Sequence, residues 1–430
     1  MNAFDKIIGY EGLKKELMQV ADGLRNGGAY ERLGVKPPRG LLLQGEPGVG
    51  KSLMASCLIE ASGRKAFVCR KDRPDGEFVN HITETFRAAK EAAPSIVFLD
   101  DMDKFANGDE NNPDAEEFVT VQSCIDECRD SGVFVLATAN NIRVLPRSLK
   151  RAGRFDRIIE VAAPQGKDAE KIVAHYFGEK QSVGSVDAAV TARMLDGRSC
   201  AELETVINEA GLLAGYERSE VITMDHVMKA CLHLVHDVPM EVINGFGTEK
   251  DEEAGENLLR TAYHEAGHAV IAEVLNPGSV VLATAYDSED SDMGGFVSCS
   301  GKTKGSYLQR AESHIIQALG GMAASEQVFG EPDTGSEHDI AQAFSIAENF
   351  VGDICLCGFQ LHCNGYNSEE TKAKQEQAAA AEVERFFRKA KEILAKHRPL
   401  LDGIARGLMK KGFLTAVDIA EIRKNCEKAA

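Results

Sequence analysis

The sequence predicts an α/β domain with a mainly parallel sheet, a small helical domain attached to it, and a second domain that is mainly α. Three observations lead there. Short apolar runs alternate with helical patterns up to about residue 160, as in a sheet built from strand and helix units. The pattern is then helical to about residue 240, and the glycine-rich, acidic stretch GFGTEKDEEAGEN precedes a further, mostly helical segment.

In order, GLLLQG, KAFVC, SIVFLDD, GVFVLATAN and RIIEV read as the strands of the first domain, residues 1–160. AEKIVAHYF, CAELETVINEAGLLAGYE and TMDHVMKACLHLV carry a helical period and make up the attached domain, residues 161–244. GFGTEKDEEAGEN, residues 245–257, has no apolar periodicity and reads as a linker. Over residues 258–430 helices dominate, broken by SVVLATAY and GGFVSCS, a small strand pair beside a helix containing YHEAGHAV. KAKQEQAAAAEVERFFRKAKEILAKHRPLLDGIARGLM continues as one or two amphipathic helices with a solvated charged face.

Composition narrows the class. With 430 residues, 43% hydrophobic and 27% charged, the chain can bury several cores. Its 67 acidic against 49 basic residues, a formal charge of −18, argue against nucleic acid as a partner. No apolar run reaches the roughly 18 residues of a membrane span, and MNAFDKIIGYEG lacks the basic and apolar segments of a secretory signal. The chain as given is therefore expected to be soluble. Eleven scattered cysteines fit a reducing compartment, with the cytoplasm as the expected location. CLCGFQLHC gathers Cys355, Cys357, His362 and Cys363 without paired CxxC spacing, and reads as buried or loop thiols rather than a soft-metal site.

GLLLQGEPGVGKS is a strand running into a phosphate loop and then the helical LMASCLIEA. Its glycines let backbone N–H groups curl around phosphates at a helix N-terminus, Lys51 neutralises β/γ oxygens, and Ser52 holds Mg²⁺. The nucleotide-binding set runs Gly45, Glu46, Pro47, Gly48, Val49, Gly50, Lys51, Ser52 and Leu53. SIVFLDD ends in two carboxylates, Asp100 to hold Mg²⁺ and Asp101 to polarise the attacking water. Asn140, ending VLATANN, is placed to orient that water. RAGRFDR puts Arg151 and Arg154 after a short connecting helix, where a neighbouring subunit's nucleotide would explain both.

In YHEAGHAV, His264 and His268 lie four apart and share a helix face, so both can point at one ion, while Glu265, about 100° round, reaches a water. A zinc peptidase normally takes three protein ligands and leaves the fourth position to water, so a third comes from elsewhere in the chain. Glu265 then accepts the water proton and passes it to the leaving amine, with no covalent acyl-enzyme. GGFVSCS reads as an edge strand on which an extended peptide can add.

These pieces in this order resemble a known family. The first 240 residues resemble an AAA+ ATPase, and the whole chain resembles the FtsH family of ATP-dependent zinc proteases. FDKIIGYEGLKKEL, YERLGVKPPRGLLLQGEPGVGKS, RAGRFDR, INEAGLLA, AYHEAGHAV, LGGMAASEQVFGE and TGSEHDI carry the resemblance. It implies an α/β AAA+ P-loop domain with helical lid, followed by a mainly α zinc metallopeptidase domain, with ATP, Mg²⁺ and Zn²⁺ as cofactors. It also implies Ile8 and Gly9 near adenine, Cys200 and Ala201 of RSCAEL on the lid side of the nucleotide, and Asp339 of TGSEHD as the third zinc ligand, with Glu337 and His338 as neighbours able to substitute. The implied assembly is a homohexamer whose ATPase ring feeds unfolded or tagged proteins to a ring of peptidase domains.

Three departures qualify the resemblance. Family members usually carry N-terminal transmembrane helices, yet Met1 stands almost directly before the ATPase domain, so the expectation is a soluble relative or a chain whose anchor segment is left off. The family's Asp-Glu pair is Asp100-Asp101 here. The family's pore loop carries an aromatic beside a glycine, but RPDGEF has Pro74 at that place and Gly76 at the glycine, with Phe78 the nearest aromatic and at least as well explained by packing the following helix. The alternatives to an unfolding protease are a nucleotide-gated peptidase without strong threading, and a remodelling ATPase with a vestigial protease domain.

Overall fold

The five apolar runs of the first domain do form one parallel sheet. The computed structural model describes residues 2–34, 38–72, 74–106, 115–151, 153–248, 252–286, 294–301, 305–332, 334–362 and 368–429. Arg73, Cys363 and residues 249–251 of the expected linker lie outside the described residues. The chain divides into two compact units, Met1–Val227 and Met228–Ala430, each taken by itself below.

The first unit runs α1 (Glu11–Arg25), α2 (Gly27–Glu31), β1 (Gly40–Gln44), α3 (Lys51–Ser62), β2 (Lys65–Cys69), α4 (Asp75–Glu91), β3 (Ser95–Leu99), α5 (Glu116–Glu127), β4 (Val133–Ala139) and β5 (Arg157–Glu160). The helices α6 (Lys167–Gly178), α7 (Ala188–Met194) and α8 (Cys200–Tyr216) follow, and the division between the units falls inside α9 (Met224–His236). The strand order is β2-β3-β4-β1-β5, with every pair parallel.

Alternation along the strands divides their side chains between two cores. Leu41, Leu43, Ile96, Phe98, Phe134 and Leu136 meet α1 and α3 through Leu17, Val20, Met54 and Leu58. The intervening Leu42, Val97, Leu99, Val135 and Ala137 meet α4 and α5 through Phe78, Ile82, Phe86, Phe118 and Val121. A sheet buried on both faces needs near-continuous apolar strands, which is what the sequence supplies. Because β3, β4 and β1 are neighbours, their carboxyl ends bring the phosphate loop, Asp100 and Asn140 together. The short helix expected before RAGRFDR is instead a succession of turns, since Pro146 interrupts the segment.

The second unit contains α10 (Met240–Asn244), α11 (Glu252–Leu275), β6 (Val280–Ala285), β7 (Gly295–Cys299), α12 (Tyr307–Ala318), α13 (Gly320–Phe329), α14 (Glu337–Gly352), α15 (Glu369–Lys396), α16 (Arg398–Lys411), β8 (Phe413–Thr415) and α17 (Ala416–Ala429). The expected strand pair is antiparallel, and β8 adds a third strand that three residues are too few to announce, in the order β7-β6-β8. β7 is thus an edge, as GGFVSCS suggests. The expected linker is shorter than 245–257, because α11 already begins at Glu252; glutamates and an alanine with no proline let the helix extend upstream. From Ala262 to Ala272 this helix is buried almost all round in a core that α12, α13, α14, α15 and α16 share.

Candidate metal centre and nucleotide site

The helical period of α11 sets His264 and His268 on one face, with their Nε2 atoms 3.0 Å apart. Asp339, in the first turn of α14, closes the group: its Oδ2 lies 3.2 Å from His264 Nε2 and 3.1 Å from His268 Nε2. These ligand atoms all lie within 4.8 Å of one another, the one such group among the described residues. Glu337 and His338 are exposed and outside the group, so the register of α14 selects the third carboxylate.

Local chemistry prepares the three atoms for a cation. His268 Nδ1 lies 2.7 Å from the Gln317 carbonyl, which makes Nδ1 the protonated nitrogen and leaves Nε2 a lone pair for the common point. Burial pushes the Asp339 carboxyl up, but the His264 and His268 imidazoles beside it outweigh burial and hold the group well below the ordinary carboxylate range. Two nitrogens and one carboxylate oxygen on a shared point are a donor set that fits zinc. Glu265 is 7% exposed on the same helix, and a Cβ added to Gly295 of the edge strand would come 2.7 Å from its Cγ. The glutamate and the edge strand β7 are therefore adjacent. Burial, and secondarily the Glu265 charge, raise the pKa of Tyr286 at the end of β6.

Glycines make this geometry sterically attainable. A Cβ on Gly267 would collide with the Gly320 backbone, and one on Gly321 would overlap the His264 imidazole. Gly321→Ala is expected to weaken zinc binding by about 10- to 100-fold, the scale of disturbed ligand support. Zinc retained against a competing chelator measures it, and retention equal to that of the parent chain would refute the packing argument. Gln317 escapes sequence reading because its backbone carbonyl does the work; the glycine pair of LGGMAASE was a visible signal.

In the first unit, Lys51 Nζ donates to Gly45 O, Glu46 O and Asn140 Oδ1, each at 2.8 Å. Burial lowers its pKa, against the opposing charges of Asp101, Asp103 and Asp100. Gly48 and Gly50 hold φ of 80° and 95°, the conformations the loop demands of glycine. Asp100 Oδ1 accepts from Ser52 Oγ at 3.3 Å and Thr138 Oγ1 at 2.8 Å. Asp101 accepts from Lys104 Nζ at 2.7 Å and from Asn140 Nδ2 at 3.4 Å. The lid reaches the same loop: Ala201 N donates to Gly48 O at 3.1 Å, and Cys200 Sγ lies 3.6 Å from Tyr10 Oη. Gly9, at φ 70°, leaves no room for a Cβ beside Asp168. Thus Lys51, Ser52, Asp100, Asp101 and Asn140 meet, with Cys200 and Ala201 against the loop.

Comparison with known proteins bears on both sites. The profile of the ATPase family associated with various cellular activities (AAA) matches residues 41–163, and that of Peptidase family M41 matches residues 254–422. The ATP-dependent zinc metalloprotease FtsH of Pelobacter propionicus is 30% identical over 464 aligned positions, covering 98% of this chain and 71% of the relative. This chain belongs to the FtsH family. FtsH 3 of Conexibacter woesei is 28% identical, covering 97% of the chain and 58% of the relative, and FtsH of Thermus thermophilus 29%, covering 97% and 70%. The chain is an ATP-dependent zinc metalloprotease whose cofactors are zinc, ATP and Mg²⁺.

Some expected residues of this FtsH-family chain stand apart from the site. Arg154 donates to Gln122 and Ser148 O at 2.9 and 2.8 Å and to both Asp126 oxygens at 3.3 and 2.8 Å, which ties it to its own subunit; Arg151 is exposed. Phe78 is fully buried edge-on to Phe105, so its role is packing, and Pro74 is the exposed N-cap of α4. Cys355 Sγ lies 3.7 Å from His362 Nδ1, and Cys363 lies outside the described residues. Among the described residues no helix is long and apolar enough to cross a membrane.

Proposed function

We propose that His264, His268 and Asp339 hold the catalytic zinc and that Glu265 is the general base of an endopeptidase driven by ATP. The convergence of the three ligand atoms beside a buried glutamate on one helix carries this reading. Zinc held there acidifies a water and polarises the scissile carbonyl. Glu265 takes the proton of the attacking water and returns it to the leaving amine, while an extended substrate adds along the free edge of β7. Lys51 and the loop glycines Gly45, Gly48 and Gly50, with Glu46, Pro47, Val49 and Leu53, bind the nucleotide phosphates. Ser52 and Asp100 hold Mg²⁺, Asp101 and Asn140 orient the attacking water, and Ile8, Gly9, Cys200 and Ala201 border the base and the lid side.

The chain acts as a homohexamer in a reducing cytosol, on unfolded or tagged proteins. Eleven cysteines scattered singly through the sequence support that compartment. Arg151 is the better placed of the two arginines to reach a neighbouring subunit, because Arg154 is already engaged. The ATPase domain spans 1–160, the lid 161–244 and the peptidase domain 258–430, with α11 leading into the last from 252.

Metal removal tests the central assignment. About one zinc per chain is expected, with cleavage of unfolded casein lost on chelation and regained with zinc. A zinc-free preparation that cleaves casein at full rate would overturn it.

A further inference from the structure

Asp100 has all of its oxygen acceptors engaged by groups of its own subunit. Thr138 and Ser52 donate to Oδ1, and both are neutral hydroxyls that leave the charge uncompensated. Oδ2 is held by Arg70, through Nε at 3.0 Å and more closely through Nη2. A guanidinium fork on a carboxylate is directional, charge-assisted and hard to replace by a point charge. The two partners differ in burial: the Asp100 side chain is 2% exposed and that of Arg70 65%. The arginine therefore stands at the mouth of the site and can swing into solvent without opening the core.

Strand register explains why it stands there. β2 pairs with β3 so that Cys69 lies opposite Leu99, and Asp100 N donates to Cys69 O at 3.0 Å. The next residue along each strand is Arg70 on one side and Asp100 on the other. Lys104 makes a second cation–carboxylate pair, with Asp101, but both members are partly exposed and three residues apart on one turn, so it is a weaker constraint.

We propose that Arg70 is a built-in competitor of Mg²⁺ at the nucleotide site: the guanidinium and the cation accompanying the nucleotide need the same Asp100 carboxylate, so Mg²⁺–nucleotide loads only as Arg70 swings away. This rests on the assignment of Ser52 and Asp100 to Mg²⁺ made above. One consequence is a raised Mg²⁺ requirement. The other is partial tolerance of Mg²⁺ removal, because Arg70 then keeps Asp100 from repelling the phosphates.

The two consequences predict a crossing pattern in the binding of fluorescent N-methylanthraniloyl-ADP to the full chain. In Arg70→Ala the Mg²⁺ concentration at half-maximal enhancement of binding falls about tenfold, the scale of one lost charge-assisted fork. With EDTA present, the same variant binds the nucleotide several-fold more weakly than the parent. Arg70→Lys, which keeps the charge but not the fork, falls between them. A half-maximal Mg²⁺ concentration unchanged or raised in Arg70→Ala overturns the proposal, as does tighter binding in EDTA. If the parent chain binds no nucleotide under either condition, the Mg²⁺ and phosphate assignments themselves fail.

Discussion

Glu265→Gln is expected to lower cleavage of an unfolded protein by about 10³-fold, within the range general-base catalysis contributes. Zinc content and melting temperature should stay as they are. Gln has the shape of Glu but cannot accept a proton, so the loss falls on kcat with little change in KM. The substitution also relieves the burial of a charge at a position only 7% exposed, so no loss of fold is expected. Single-turnover cleavage of casein together with zinc analysis checks it. Cleavage within a few-fold of the parent would remove Glu265 from the mechanism. Zinc lost along with activity would make it a structural support of the metal instead.

Lys51→Ala is expected to lower nucleotide affinity by about 10²-fold, the scale of a lost charge-assisted phosphate contact of roughly 3 kcal/mol. ATP-driven degradation should disappear with it. The same ammonium satisfies Gly45 O, Glu46 O and Asn140 Oδ1, so the loop also loses its internal brace. The informative comparison is a folded, tagged protein against a short peptide. Degradation of the first should stop while cleavage of the second survives, because the proposed zinc ligands lie on α11 and α14 and none comes from the phosphate loop. Continued degradation of the folded substrate would show that ATP does not drive the process.

How far the sequence could be read follows from the range of the interactions involved. The phosphate loop is legible because strand, glycines, Lys51 and helix follow one another without interruption from Gly40 to Ser62, and backbone stereochemistry alone dictates their order. His264 and His268 are legible because the α-helical period places residues four apart on one face. The choice of Asp339 over Glu337 and His338 is a different matter: the family resemblance implies it, while its meeting with the histidines is a contact between α14 and α11. Arg154, expected to reach a neighbour's nucleotide or to form a surface ion pair, bonds within this chain to Asp126, 28 positions earlier, a carboxylate that no local pattern reveals. Phe78, the aromatic nearest the expected pore loop, proved to be core, because α4 turns it toward Phe105. The expected linker is too long because an acidic, glycine-bearing segment without apolar period reads as unstructured, whereas the end of it is helical.

By itself the sequence determined the α/β and α architecture, the strand order along the chain, the phosphate loop, the paired carboxylates and the histidine pair proposed to hold zinc, with Asp339 implied by the family resemblance. All but Asp339 follow from periodicity and from bonds between near neighbours. Only the tertiary structure decided how Asp339 meets His264 and His268, the Gln317 carbonyl that orients His268, the glycine contacts that let α13 approach α11, and the placing of Arg70 on Asp100. Each joins residues 30 to 75 positions apart or more than one helix. Such contacts are set by how strands register and helices pack, which no local pattern of residues encodes.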